Sequence, residues 1–299
     1  MRHLWLKTTF IAVFILIFSS GVAAQMRPSY SVSYDFIPYQ TVDEPIEMEN
    51  GSFVDDAQVR LSKFRTTFAY PFMFSEGRTI ILNELSYQRI GFQYRKTESI
   101  LENLHGVGYS FTLMHRFSGK WSLLTMVNPS LASDFEAGLS SEDLSFQTAI
   151  IVNRHFSESF SVGIGAAYST QFGSAVPLPV ISLEFNDGDK WSANAILPSS
   201  LEVWYKASHR VDLGVLLSGD GDNYHFDPQG YQVNRPELRY TMMTLGPAAK
   251  IKLSKHLRLN VEAGIIGLHR FEFYSGDEEI VSNDLKPSQY LRTGLQIGL

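Results

Sequence analysis

The chain has 299 residues, a net charge of −6, no cysteine, 22 glycines and 13% aromatic residues. Without cysteine it has no disulfide, no thiol-ligated metal and no lipid-modified N-terminal cysteine. The mildly acidic balance excludes the basic face that a nucleic-acid partner demands.

Residues 1–24 read as a secretory signal. Arg2 and Lys7 precede the nine-residue apolar run Phe10–Phe18, and Val22-Ala23-Ala24 supplies small residues for cleavage before Gln25. That run is too short for a membrane helix of ~20 residues, and no later run approaches that length. The remainder, 25–299, reads as one domain with no linker and no low-complexity tract.

In chain order, alternation and turn residues predict strands near 29–36, 57–72, 78–94, 107–117, 121–128, 143–156 and 160–172. Seven more follow near 179–186, 191–197, 201–207, 210–217, 237–253, 257–274 and 288–299. The total is fourteen, or twelve if the short pair 191–197 and 201–207 merges. Phe160, Val162, Ile164, Ala166, Tyr168, Thr170 and Phe172 share one face, opposite Ser161, Gly163, Gly165, Ala167, Ser169 and Gln171. The last strand repeats this with Leu291, Thr293, Leu295, Ile297 and Leu299 against Arg292, Gly294, Gln296 and Gly298. A soluble sandwich and a membrane barrel both produce alternation, so connection lengths decide between them. Short joints (Phe117-SGK-Trp121, Phe156-SES-Phe160, Phe185-NDGDK-Trp191, Leu253-SKH-Leu257) alternate with long polar ones at 37–56, 95–106, 129–143, 218–236 and 275–288. That asymmetry belongs to outer-membrane barrels, whose periplasmic turns are short and whose outer loops are long. The expected fold is therefore all-β, a transmembrane antiparallel up-and-down barrel. Trp121 and Trp191 are expected in an interfacial girdle and Trp204 inside. Strands 78–94 and 237–253 change parity midway, which reads as bulges.

Turning the apolar parity toward lipid leaves charges of both signs inside: Asp35, Lys63, Arg65, Glu84, Arg116, Glu184, Glu202, Lys206, Asp212, Arg258, Glu262 and Arg292. The physical reason is that Lys or Arg on the lipid face costs ~2–4 kcal/mol at mid-bilayer. Such an interior forms either an ion-paired plug or a polar pore. Arg258, Glu262 and Arg292 sit on the last two strands, where an inward cluster is expected.

Three other features invite chemistry. Asp220, Asp222, Asn223, His225 and Asp227 crowd one expected loop, with oxygen ligands at alternate positions as calcium loops begin. The pattern lacks glycine at the sixth position (His225) and glutamate at the twelfth (Tyr231), so a solvated acidic loop competes with a metal site built on Asp220, Asp222 and Asp227. A barrel hydrolase would need Ser beside His; His115 and His269 are the strand-borne histidines expected to lean outward, and neither adjoins a serine motif. Gly163-Ile-Gly165 lies in a strand with no following helix and is no phosphate loop.

The leader, the start Ser29-Tyr-Ser-Val-Ser-Tyr34, the turn Arg116-Phe-Ser-Gly-Lys-Trp121 and the ending Gly294-Leu-Gln-Ile-Gly-Leu299 together resemble a Bacteroidota-type family of outer-membrane barrels known as a domain of unknown function. The resemblance implies an outer-membrane location and brings no catalytic residue. One departure is the terminal Leu299, where many barrels present an aromatic residue to the insertion machinery. The expectation is a non-enzymatic, cofactor-free channel or transporter for small or hydrophobic solutes. Its partners would be outer-membrane lipid, the insertion machinery and the solute. The alternatives are a structural or adhesive barrel acting through its loops, and an outer-membrane hydrolase.

Overall fold

The computed structural model describes residues 27–42, 46–47, 53–54, 56–97, 101–117, 119–136, 138–169, 177–226, 236–276 and 278–299. The signal segment expected at 1–24 lies outside them.

Fourteen antiparallel strands close into a barrel. They are β1 (Ser29–Thr41), β2 (Gln58–Phe74), β3 (Thr79–Arg95), β4 (Asn103–Arg116), β5 (Trp121–Ser133), β6 (Leu144–His155) and β7 (Phe160–Ser169). They continue as β8 (Leu178–Asn186), β9 (Trp191–Leu197), β10 (Ser200–Lys206), β11 (Val211–His225), β12 (Glu237–Lys252), β13 (Leu257–Ser275) and β14 (Ser288–Gly298). Each pairs with its sequence neighbours, and β1 closes on β14 from Ser29↔Gly298 to Phe36↔Leu291. A short strand at Glu278–Asp284 adds to β13, and Ile46–Glu47 pairs with Phe53–Val54 as a separate ribbon.

One end carries tight turns. Phe117 N–H donates to the Trp121 carbonyl at 3.0 Å, Phe156 to Phe160 at 2.9 Å and Leu253 to Leu257 at 2.9 Å. In the turn before β9, the Asp187 carboxylate accepts the amides of Asp189, Lys190 and Trp191, each at 2.9 Å. Those donors favour the ionised form and hold its pKa below the usual carboxylate value. Paired large residues at this rim, with the Phe156 and Phe160 rings 5.9 Å apart, make the interfacial girdle of a membrane barrel.

Outside polarity changes along the barrel axis. Toward the turns the outer surface is apolar, as in β7 (Phe160, Val162, Ile164) and β14 (Leu291, Leu295, Ile297), all exposed or half-exposed. Toward the loops it inverts. Ile37, Leu61, Ile90, Phe92, Leu104, Leu238, Tyr240, Met242 and Phe271 point inward into a buried cluster. Their outward neighbours at that level are Arg60, Arg89, Arg239 and Arg270. Arg60 lies 4.6 Å from the Phe36 ring centre, Arg239 3.5 Å from that of Tyr274, and Arg270 pairs with Asp284 at 2.6 Å. Polar outside and apolar inside is how a barrel in water folds, because only burial removes the apolar face from solvent. Each fully buried large side chain contributes about 1.5–3 kcal/mol. The loop-end segments of these strands thus stand beyond the hydrocarbon.

This inversion corrects the expected bulge in 78–94. β3 pairs with β2 and β4 without a register shift; what changes is which face is apolar. The bulge expected in 237–253 belongs to the pairing of β12 with β13, and the extra residue, Gly267, is on β13. The weak pair exists as β9 and β10, seven residues each, so the count is fourteen and not twelve. Several expected loops are partly strand: β5 continues to Ser133 and β11 to His225.

The short β10 has a consequence. It pairs with β11 only as far as Ser200↔Ser218, where Gly219 N–H donates to the Ser199 carbonyl at 2.8 Å. Beyond that point, among the described residues, β11 pairs with no strand on the β10 side. It crosses the interior until His225 bridges Ser133 of β5 in parallel, with Asp134 N–H donating to the His225 carbonyl at 3.3 Å. The loop end is thereby divided. Strands β1–β5 and β11–β14 enclose the apolar cluster, whereas β6–β10 bound a lower-walled remainder.

Candidate functional site: the barrel interior

Below the apolar cluster, sheet register assembles an ionic circuit. Asp35 on β1 lies directly across from Arg292 on β14 and Lys63 on β2, and Glu262 on β13 lies across from Arg292. Arg292 donates Nε and Nη2 to the two oxygens of Asp35, each at 2.9 Å, and Nη1 to Glu262 at 3.1 Å. Tyr290 donates to the other Glu262 oxygen. Asp220, carried across the lumen by β11, pairs with Lys63 and stands 3.4 Å from Arg65. Asp35, Lys63 and Glu262 are buried, so each charge depends on its partner.

A second group sits on β10 and β12. Trp204 Nε1 donates to Glu202 at 2.8 Å, and Lys250 lies over the Trp204 ring at 3.7 Å and 3.9 Å from Glu202. Trp204 is buried on the inner face, where its parity puts it. Nearer the turns, Lys206 faces Asp212 across the β10–β11 pair, and Glu184 accepts from Ser161 at 3.3 Å. The expected inward cluster forms between Glu262 and Arg292; Arg258, four residues from Glu262 and across from Lys252, takes no part in it.

Two expectations are corrected. Asp220 and Asp222 do not belong to a loop: both lie within β11 with inward side chains, and Asp227 falls outside the described residues. Lys63 and Arg65 occupy Asp220, while Gln88 donates to Asp222 at 2.6 Å. Among the described residues no three His, Asp or Glu gather as a metal site. His269 does not lean outward. The extra residue Gly267 turns it inside, where it is 2% exposed and bonded to Gln40 at 2.6 Å. His115 pairs with Thr79 at 2.9 Å.

Sequence reasoning missed Gln88, which bridges Asp222 and Tyr224 (2.7 Å). Being neutral, it was invisible to a search for charges, although its parity places it inside. It also missed Ser122, whose Oγ lies 2.9 Å from His155 Nε2. Among the described residues no carboxylate bonds the other nitrogen of His155, so the pair lacks the group that would orient a catalytic base.

Under the β11 crossing lies a polar cavity of about 190 Å³, walled by β2–β6 on one side and Gly219–Asp222 on the other. A smaller apolar cavity of about 50 Å³ sits in the cluster above, between Val59, Phe92, Leu238 and Phe271.

The family model described as "Domain of unknown function (DUF6268)" matches residues 21–298. The chain belongs to that family. No curated protein matches it in sequence. Among solved structures it is similar to the TodX monoaromatic hydrocarbon channel deltaS2 mutant, at 9% identity over 92% of this chain and 91% of that one, with a TM-score of 0.48. It is also similar to the COG4313 outer membrane channel from Pseudomonas putida F1, at 13% identity over 91% of this chain and 96% of that one, with a TM-score of 0.48. A third likeness is to the NanC porin, at 8% identity over 90% of this chain and 100% of that one, with a TM-score of 0.39.

Proposed function

We propose that this DUF6268 protein is a passive outer-membrane channel for small solutes, with its passage on the β6–β10 side of the lumen. The β11 crossing to Ser133 carries the reading, because it leaves the larger apolar cluster on the tall side, while the low-walled side holds only the smaller one of Met126, Ala149, Ile151, Ala167 and Val180. On that inner face Ser145, Gln147 and Ser161 accompany the buried apolar residues Ile151 and Val180, with Met126 of β5 at the border. That lining favours small solutes of low or mixed polarity over bulky charged ones. Glu184, Glu202, Lys206, Asp212, Arg258, Glu262 and Arg292 are the charges that a solute would meet or pass below. Outer-membrane lipid would contact the apolar band, and β14 would be the strand presented to the insertion machinery.

The test is conductance across a planar bilayer after refolding residues 25–299 in detergent. Reproducible steps are expected, and Ala149→Trp, which fills the inner face of β6, should cut their size sharply. Steps unaffected by Ala149→Trp would remove the passage from this side. The filled tall half favours a second reading, a closed barrel that binds through its loops; folded protein that gives no steps would decide for it.

A further inference from the structure

The polar cavity beneath the β11 crossing has an unbalanced wall. Among the described residues that line it the one cation is Arg65, which already serves Asp220 at 3.4 Å and Gln88 at 3.3 Å. Glu84 faces the same space, half-buried, and no hydrogen bond or ion pair joins it to any described residue. Ser110, only 6% exposed and lining the cavity, leaves its hydroxyl oxygen without a partner, and so does Ser130 on the neighbouring strand. Buried polar groups are normally bonded, so two orphan hydroxyls beside an unpaired carboxylate mark a place built for something else. Glu84 thus brings to this confined space a carboxylate that no described cation pairs.

Glycines make the room. A Cβ on Gly108 would stand 2.9 Å from Ser86 Oγ, and one on Gly106 would stand 3.0 Å from the Gln88 side chain. A cavity of ~150 Å³ holds a six-carbon ring, so 190 Å³ admits a solute of that order. We propose that this cavity binds a small solute bearing a primary ammonium group, held by Glu84 with Ser110 and Ser130. An ammonium brings three donors and the missing positive charge. An anion would meet Glu84 and Asp222. A neutral polyol would satisfy the hydroxyls and leave Glu84 unneutralised.

The assignment goes beyond the channel reading and does not need ion flow, so loss of either leaves the other standing. The experiment is saturation-transfer NMR on residues 25–299 refolded in deuterated detergent, with ethanolammonium, glycerol and acetate as probes. Ethanolammonium should receive saturation from the wild type and from the turn variant Glu158→Gln. Glu84→Gln, folded as judged by heat-modifiable mobility, should abolish the transfer. Acetate should give none. If Glu84→Gln fails to fold, Ser110→Ala decides in its place, with a weakened ethanolammonium signal expected. No signal from the wild type, a signal that survives Glu84→Gln, a signal left undiminished by Ser110→Ala, or a glycerol signal equal to that of ethanolammonium would overturn the proposal.

Discussion

The two sides of this barrel solve the same problem in opposite ways. On the side of β1–β5 and β11–β14, long strands rise beyond the membrane and fill their interior with Leu104, Tyr224, Leu238 and Tyr240, all 0–1% exposed. On the side of β6–β10 the strands are short, and the inner face mixes Ala149, Ala167 and Ser200 with Ile151, Val180 and Trp204. Strand length sets the difference. Seven-residue β10 cannot follow fifteen-residue β11, whose freed half crosses to β5. A sheet edge left without a neighbour exposes unpaired backbone groups, and the bridge to Ser133 satisfies part of them within the molecule.

Breaking the ionic circuit on the tall side should cost the most. Arg292→Met leaves Asp35 and Glu262 buried without their shared cation, and should destabilise the barrel by about 3–5 kcal/mol in urea unfolding. Next comes the apolar cluster, where Leu104→Ala should cost about 2–5 kcal/mol in the same assay. Ile151→Val in the inner face of the low-walled side should cost about 0.5–1.5 kcal/mol. A reversal of those last two would mean that the low-walled side, not the cluster, holds the loop end together. Smallest is Asp56→Asn. Its 3.8 Å pair with Lys96 is exposed, and its loss should change stability by less than about 1 kcal/mol.

Much of the wall was legible in the sequence, because a lipid face and a water face alternate with period two over β7, β11 and β14. The tight turns were legible for a similar reason: large apolar residues flank each polar turn. The loop end was not. Ile90 and Phe92 follow the parity of Glu84 and Gln88, and a reader who equates apolar with outward must insert a bulge to keep them facing lipid. The inversion becomes visible only when the surroundings are known to change from hydrocarbon to water. His269 failed for the converse reason: a real extra residue, Gly267, shifts its parity without a sequence signal beyond one glycine among many. Asp220 and Asp222 looked like a loop because Gly-Asp-Gly-Asp is loop chemistry, yet here the glycines line a cavity and the carboxylates meet Lys63 and Gln88 across it. An inward cluster of Arg258, Glu262 and Arg292 was expected from adjacent strands, but which of them pair is set by the register. Asp35 completes the circuit only because the first strand closes on the last.

The division of the lumen is tested most directly by locking it. The chain has no cysteine, so Ser133→Cys with His225→Cys places one pair at the bridge, where the two residues are register partners. Single-channel conductance measured before and after oxidation should be the same, because the passage lies beside the bridge and not through it. Steps that vanish on oxidation and return on reduction would show that solutes pass only when β11 parts from β5, and would contradict the account.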